Sequence, residues 1–381
     1  MRVVILGGGG LEGSKISKVI SQDRSVGKVI IVDRNQKKAD RAAQSCGKKA
    51  EAICADVDNN DDLLRVLGMG DIAVNLVGPY YVRGTKILQG AITAKVHYLD
   101  ICDDYDVTRD LLALGEKARD AGVTAVINCG SSPGLVNVLA RYAAGLLDEV
   151  SEINITWCVP MAIGAGGLAG VFHCFHMLGP KIPQFLDGET REVPGGSGRK
   201  IVNFPFGALE TMYVGHPEPV TLPINIRGVK TVTCRGAAPP EWFLDHVLKM
   251  MEVGLGSTEV MQVKRDAYVN PREVAVSALI NSLAKNPLPA GYELNGLNVE
   301  VFGKKDGNKM HYIYDLPPDL AEEDVTGLPA SVGILTIAKG EFKRKGVFAP
   351  EQLDPKKFLA MLESFGLKIF ETKSVTAEFR S

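Results

Sequence analysis

Four aspartates fall within one short stretch of the chain: Asp100, Asp103, Asp104 and Asp106. Carboxylates held this close raise one another's pKa towards neutrality, which suits proton transfer, and they also bind a substrate ammonium group. A structural alternative is open as well, because Asp103 or Asp104 could accept hydrogen bonds from the first N–H groups of a following helix. We predict Asp103 and Asp100 as catalytic candidates and Asp104 as a substrate ligand.

Histidines and an arginine further along the chain offer related chemistry. His216 and Glu218 lie in a proline-rich loop and could face a cleft, so His216 is a third catalytic candidate. Arg235 could hold a substrate carboxylate as a forked donor, or it could lie on the solvated surface. His173 shares a helix face with His176, but no third metal ligand follows at a diagnostic spacing. We therefore predict His173 and Arg235 as substrate ligands and no metal site.

A glycine-rich turn with the spacing G-x-G-x-x-G lies at residues 8–13, between the first apolar run and the first helical pattern. The first glycine allows a tight turn, the second lets the backbone approach a pyrophosphate, and the third lets helix and strand pack closely. Asp33 ends the second apolar run about 20 residues later, where a carboxylate binds the adenosine ribose. The pattern predicts a dinucleotide site with these ligands: Gly8, Gly10, Leu11, Gly13 and Asp33.

The choice of dinucleotide depends on two neighbouring residues. Asp33 favours NAD, because its charge would repel the 2′-phosphate of NADP. Arg34 follows directly and could hold that phosphate or cover the adenine, so NADP is possible. Asp56 and Val57, which follow the third apolar run, are further expected cofactor contacts.

The apolar pattern predicts the scaffold that positions these residues. Short β-branched runs alternate with helical patterns at 3–6, 29–33, 50–55, 72–77, 98–101 and 124–128. This alternation is typical of a Rossmann-type, doubly wound parallel sheet in an α/β protein, and ligands bind such a sheet outside the carboxyl ends of its strands. Tyr80 follows one of these strand ends, so we predict it as a substrate ligand.

A second domain follows, because the pattern changes after Pro133. Asp306-Gly307 separates two alternating runs at 298–304 and 309–314, which indicates a hairpin. We predict an α+β domain built on a mostly antiparallel sheet. The predicted bounds are 1–132 for the dinucleotide-binding domain and 133–325 for the substrate and dimerisation domain.

Composition excludes several classes of protein. The 381 residues include 43 Lys and Arg against 45 Asp and Glu, and no basic block is present, so nucleic acid is not an expected partner. Seven scattered cysteines indicate reduced thiols in a cytoplasmic protein. Residues 156–179 lack charged side chains over a length that could span a membrane, but their glycines and histidines favour a buried strand, loop and helix. We expect a small-molecule substrate and no membrane contact.

These motifs together resemble the saccharopine dehydrogenase family, and within it the lysine 6-dehydrogenase-type members. The resemblance rests on the glycine turn at 8–13 and on these segments: 74–79, 98–100, 132–137, 216–223 and 345–351. It implies an enzyme that passes hydride between a nicotinamide cofactor and a C–N bond of an amino acid, its imine or an opine. Ile224 stands where related chains carry a basic residue, which argues against lysine itself as the substrate.

The resemblance also implies roles for parts of the chain. Residues 326–381 would return to the dinucleotide-binding domain as C-terminal helices, and the protein would be a homodimer. Asp100 to Asp103 would border the substrate. The nicotinamide would be bordered by Val77, Gly78, Pro79, Ser132 and Pro133.

Our mechanistic hypothesis places an amine substrate between the two domains. Asp103 holds the ammonium group and receives its proton, because hydride leaves carbon only when nitrogen can donate its lone pair to the forming imine. Asp100 and His216 are the next candidates for this role. Two alternatives stay open: a carboxynorspermidine-type or other opine dehydrogenase, and a catalytically silent NAD-binding regulatory protein.

Overall fold

The first part of the chain alternates six strands with six helices. The computed structural model describes residues 1–161, 167–286 and 294–377. The strands are β1 (Arg2–Leu6), β2 (Lys28–Asp33), β3 (Ala50–Cys54), β4 (Ile72–Asn75), β5 (His97–Asp100) and β6 (Thr124–Val126). The helices are α1 (Leu11–Ser21), α2 (Gln36–Cys46), α3 (Asn60–Leu67), α4 (Tyr80–Thr93), α5 (Tyr105–Ala113) and α6 (Gly115–Asp120). The central strands are rich in Val and Ile and are buried, as expected when helices cover both faces of a parallel sheet.

The middle of the chain contributes a second group of strands. They are β7 (Glu149–Cys158), β8 (Ile182–Leu186), β9 (Glu189–Val193), β10 (Lys200–Phe204), β11 (Gly207–Tyr213), β12 (Thr231–Ala237), β13 (Met261–Lys264), β14 (Ala267–Val269), β15 (Gly296–Lys305) and β16 (Asn308–Asp315). The accompanying helices are α7 (Leu135–Ala144), α8 (Gly167–Met177), α9 (Glu218–Asn225), α10 (Trp242–Glu252) and α11 (Pro271–Lys285).

The C-terminal elements join both sheets. They are α12 (Glu322–Ala338), β17 (Gly346–Phe348), α13 (Pro355–Ser364) and β18 (Phe370–Thr376). β17 pairs in parallel with β6, and α12 packs against α1. β18 instead pairs with β16 in the second sheet. The bounds given above for three domains stay a prediction.

The two sheets have different topologies. The first has seven parallel strands in the order β17-β6-β5-β4-β1-β2-β3, and the second has nine strands, mostly antiparallel. The predicted Rossmann-type sheet with a second α+β domain is therefore confirmed. The turn between β15 and β16 contains Asp306 and Gly307, both at positive φ, as the Asp-Gly signal predicts.

The apolar stretch at 156–179 divides between β7 and α8. Residues 162–166, where its predicted loop falls, lie outside the described residues. Within the described ranges, no helix combines the length and apolar character that crossing a membrane requires.

One edge of the first sheet collects the predicted site residues. All its strands run in the same direction, so their carboxyl ends share this edge. The segments after β5 and β6 lie beside β4, and the glycine turn and Asp33 lie on its other side. The helices α8 and α9 reach this edge from the second sheet.

Candidate active site

The glycine turn connects β1 to α1 and has the packing that a pyrophosphate site needs. A Cβ at Gly13 would lie 2.5 Å from Gly8 Cα, so α1 can approach the turn only without a side chain there. At Gly10 the one atom of the described residues within 4 Å of such a Cβ is the carbonyl oxygen of Gly7, at 3.3 Å. Gly10 is also the N-cap of α1, without a side-chain cap, and Leu11 begins the helix. The turn therefore offers open space and unpaired N–H groups to an anion.

Asp33 lies directly against this turn. Its Oδ1 accepts the N–H of Asn35 at 2.9 Å, and its Oδ2 lies 2.8 Å from where a Cβ at Gly9 would be. Arg34 is exposed beside it. Asp56 and Val57 follow β3, the neighbour of β2 in the sheet. The adenosine half of a dinucleotide fits this end of the edge.

The segments after β4 and β6 occupy the other half of the edge. Val77, Gly78 and Pro79 follow β4, and a Cβ at Gly78 would meet no atom within 4 Å. Tyr80 is not brought to the cleft, because it is only 8% exposed and its hydroxyl donates to the carbonyl oxygen of Asn75 at 3.1 Å. The neighbouring Tyr81, which we did not predict, stacks on His176 with ring centroids 4.7 Å apart.

Asp103 and Asp104 meet His173 of α8 at the end of β5. His173 Nδ1 lies 3.1 Å from Asp104 Oδ1, and its Nε2 lies 3.4 Å from Asp103 Oδ2. Burial alone would lower the pKa of His173, but the carboxylates of Asp103, Asp104 and Asp106 raise it to about 9. The surroundings of His173 therefore favour its imidazolium form, between Asp103 and Asp104.

The two aspartates differ in surroundings. The Asp104 side chain is 2% exposed and accepts the Tyr81 N–H at 2.9 Å. Its bond with His173 holds its pKa below the usual range against the opposing effect of burial. Asp103 is 36% exposed, and desolvation together with Asp104 raises its pKa while His173 opposes that rise. Asp104 precedes α5 but makes no side-chain cap bond, so the helix-capping alternative does not describe it.

Asp106 and His176 extend this group towards solvent. His176 Nε2 lies 3.1 Å from Asp106 Oδ1 and 3.8 Å from Asp104 Oδ1. A cavity of about 440 Å³ opens beside His176, and its lining includes Tyr105, Phe175 and Arg272. Arg272 Nε donates to the carbonyl oxygen of Gly256 at 2.8 Å.

Asp100 does not face the cleft. It is fully buried, and its Oδ1 accepts the N–H groups of Asn128 at 2.7 Å and Cys102 at 3.1 Å. Its Oδ2 has no partner within the described residues. Burial raises its pKa to about 6. We infer that Asp100 ties the end of β5 to the segment after β6.

We expect Asp100→Asn to stabilise the protein at pH 8. A carboxyl whose folded pKa is raised from 3.8 to about 6 contributes stability at low pH that is lost as pH rises through 6. The amide resembles the protonated acid, so its advantage reaches at most about 3 kcal/mol at pH 8 and shrinks towards pH 4. Urea unfolding at several pH values measures this, with the exposed Asp110→Asn as control. A thousand-fold loss of turnover would instead return Asp100 to the catalytic candidates.

His216 approaches the same place from the second sheet. Its Nδ1 lies 3.0 Å from Glu218 Oε2, and its ring centroid lies 5.7 Å from that of His173. Ser132 Oγ donates to Glu218 Oε1 at 2.5 Å. Glu218 has no exposed surface, and although burial opposes it, His216 and Ser132 hold its pKa below the usual value. This link joins the segment after β6 to the start of α9.

Arg235 is not brought to the cleft. Its Nη1 donates to Thr233 Oγ1 at 2.7 Å, and its guanidinium carbon lies 4.3 Å from the ring centre of Tyr213. The adjacent Cys234 points towards Glu218, so strand alternation directs Arg235 to the opposite face of the second sheet.

Among the residues that the structure describes, two groups of side chains bring enough ligand atoms together to hold a metal ion. One is His216, Glu218 and Cys234, and the other is Asp103, Asp104 and His173; in each the ligand atoms lie within 4.8 Å of one another. In the first group His216 already pairs with Glu218, and in the second His173 already pairs with Asp103 and Asp104. A metal ion would have to displace any proton held by these ligands. The absence of a metal site stays a prediction.

Both sheets match models of known protein domains. Residues 3–126 match the saccharopine dehydrogenase NADP binding domain, and residues 184–367 match the saccharopine dehydrogenase C-terminal domain.

Similar proteins extend over nearly the whole chain. Carboxynorspermidine synthase of Vibrio cholerae is 27% identical, and carboxyaminopropylagmatine dehydrogenase of Synechocystis is 26% identical; each match covers 96% of both chains. Among solved structures, the apo saccharopine dehydrogenase (L-Glu forming) of Saccharomyces cerevisiae aligns with a TM-score of 0.72 and 15% identity, over 98% of this chain and 99% of that one. That structural match supports the fold alone.

Proposed function

The chain belongs to the saccharopine dehydrogenase family of NAD(P)-dependent oxidoreductases, and from this premise we propose that it transfers hydride to or from the C–N carbon of a carboxylated amine. The observation that carries the proposal is the group of three aspartates, Asp103, Asp104 and Asp106, at the end of β5. Such a group beside a dinucleotide site suits a cationic amine.

The dinucleotide would extend along the edge of the first sheet. Its pyrophosphate would bind the turn at Gly8, Gly10 and Gly13, with its adenosine ribose on Asp33. Its nicotinamide would lie beside the segments after β4 and β6, including Gly78, Pro79, Ser132 and Pro133. When bound, the nicotinamide supplies or accepts the hydride.

The protein's own residues would hold the amine and exclude water. Asp103 is the most accessible carboxylate next to His173, so we assign it to the substrate ammonium. Asp104 and His173 fix its position, since both are held by hydrogen bonds or ion pairs. In the oxidative direction the ammonium must lose a proton before its lone pair can form the C=N bond and hydride can leave carbon.

The substrate class follows from two observations. The names of both similar enzymes describe amines that carry a carboxyl group. The cavity is lined by His176, which contacts Asp104 and Asp106, and by Arg272, which supplies a positive charge for a carboxylate. Carboxylated amines of the carboxynorspermidine type therefore replace lysine as our preferred substrates.

A substrate panel tests this proposal. Purified protein and NAD(P)H would be offered an amino-acid aldehyde together with agmatine or a short diamine, while the absorbance of the reduced nicotinamide is followed. Lysine and saccharopine with oxidised cofactor form the second arm. We expect turnover only when an aldehyde and an amine are both present. Turnover with lysine alone would favour the lysine 6-dehydrogenase type, and silence in all arms despite dinucleotide binding would favour the regulatory alternative.

The choice between NAD and NADP belongs to the proposal as well. We propose that Asp33 makes NAD the preferred dinucleotide, because its carboxylate would bind the ribose 2′-hydroxyl and would repel a 2′-phosphate. We expect Asp33→Asn to move the ratio of the two dissociation constants at least about tenfold towards NADP, with Arg34 then free to bind the 2′-phosphate. Fluorescence titration with NADH and NADPH measures this ratio. Tighter binding of NADPH than NADH by the unchanged protein would contradict it.

We also propose a cytoplasmic homodimer. All seven cysteines lie within the described residues and none forms a disulfide, which suits a reducing compartment. Light scattering of the purified protein would measure the subunit count.

A further inference from the structure

A chain of hydrogen bonds connects the two sheets at the cleft. Ser132 follows β6 in the first sheet, and Glu218 begins α9, which packs against β12 of the second. The two Glu218 oxygens each receive one partner, Ser132 Oγ at 2.5 Å and His216 Nδ1 at 3.0 Å. A carboxylate with no exposed surface needs such partners, since an unpaired buried charge is costly.

This chain determines which nitrogen of His216 carries a proton. A carboxylate only accepts hydrogen bonds, so the bond to Glu218 requires a proton on Nδ1. In a neutral imidazole Nε2 then has a free lone pair. Nε2 makes no hydrogen bond within the described part of the chain, and it is absent from the buried atoms left without partners. It is therefore free to meet a ligand.

The position of His216 also suits proton transfer. Its ring lies edge-on to His173, which contacts Asp103, the proposed ammonium anchor. Asp103 already forms an ion pair with His173. His216 Nε2, in contrast, makes no hydrogen bond to the described residues.

We propose that His216 Nε2 exchanges the proton with the substrate nitrogen, and that Glu218 and Ser132 are positioning residues that fix its tautomer. The inference rests on the proposed function. In oxidation the ammonium would give one proton to Nε2, and its freed lone pair would form the C=N bond while a bound nicotinamide would accept the hydride from carbon. The resulting imidazolium is stabilised by the Glu218 carboxylate at Nδ1. Asp103 keeps its charge and holds the substrate.

Kinetics of Glu218→Gln test the positioning role. We expect kcat to fall about 10² to 10⁴-fold, with KM for the dinucleotide nearly unchanged, because the amide can donate to Nδ1 and reverse the tautomer. The double variant with His216→Gln should be no slower than His216→Gln alone. Glu351→Gln is the matched control, since Glu351 is also buried and hydrogen-bonded but contacts Asn137 and Asn225. Additive losses, or a kcat within threefold of the unchanged enzyme, would overturn the proposal.

Nitrogen-15 NMR of labelled histidines reads the tautomer without requiring turnover. The His216 signal, assigned by its loss in His216→Gln, should show the proton on Nδ1 in the unchanged protein and on Nε2 in Glu218→Gln. An Nε2 proton in the unchanged protein would refute the inference even if the enzyme is active. If the NMR spectrum shows the expected tautomer but no amine is turned over, the proposed function is refuted instead.

Discussion

Replacing Asp103 with asparagine is expected to lower kcat/KM for the amine about 10³-fold, equivalent to about 4 kcal/mol of transition-state stabilisation. The variant keeps the side-chain shape but removes the negative charge that would face the substrate ammonium. Its amide NH₂ group carries a partial positive charge, which repels the ammonium. Losses of 2 to 5 kcal/mol or more are usual when one member of a desolvated charge pair is removed. Binding of the dinucleotide should stay unchanged, because Asp103 lies at the end of β5 and away from the glycine turn.

The Asp103→Asn variant should also change the pKa of His173. Asp103 is one of the three carboxylates that raise the pKa of His173 to about 9, so this pKa should fall in Asp103→Asn. Steady-state kinetics and NMR titration of His173 measure the two effects separately. Asp110→Asn removes the same charge from the exposed surface of α5 and is the matched control. Full turnover in Asp103→Asn would remove this residue from the mechanism.

Replacing Gly13 with valine is expected to weaken dinucleotide binding more than about 100-fold. The Cβ alone would lie 2.5 Å from Gly8 Cα and 2.7 Å from its carbonyl carbon, so α1 and the turn must separate. Separation moves the N–H groups at the start of α1 away from the pyrophosphate. The two methyl groups of valine add to this displacement, because residues 3–6 of the neighbouring strand β1 are fully buried and leave no space for them.

Titration with NADH and NADPH measures this loss, and circular dichroism checks that the variant folds. Gly68→Ala is the control, because its Cβ would meet only ordinary contacts of 3.4 Å and 3.7 Å at the end of α3. Gly13→Ala offers a milder change if the valine variant does not fold. Unchanged affinity in a folded Gly13→Val would mean that the dinucleotide binds elsewhere.

The dinucleotide half of the site could be predicted because its signals are local. Gly8, Gly10, Gly13 and Asp33 belong to one β-α-β unit, so spacing along the chain translates directly into position. The Asp-Gly turn at 306–307 is similarly local, and the structure has both residues at positive φ. The dinucleotide ligands stay a prediction, although the close approach of Gly13 to Gly8 suits it.

The substrate half depends on contacts between distant residues. Glu218 meets Ser132 across 86 positions and His173 meets Asp104 across 69, and no spacing rule encodes either contact. The sequence also could not predict the direction in which a single side chain points. Tyr80 begins α4, and one residue further the helix turns Tyr81 rather than Tyr80 towards His176. Arg235 faces away from the cleft because strand register, which only pairing determines, places Cys234 on the inner face.

The most direct test of the account follows the hydride itself. NADH or NADPH carrying deuterium at both C4 positions of the nicotinamide would be incubated with the protein, an amino-acid aldehyde and an amine, and the product analysed by mass spectrometry. The account predicts a secondary amine that bears deuterium on the carbon of the new C–N bond, formed by the unchanged protein and not by Asp103→Asn. A product without deuterium at that carbon, or deuterium delivered to an alcohol derived from the aldehyde, would contradict the central claim.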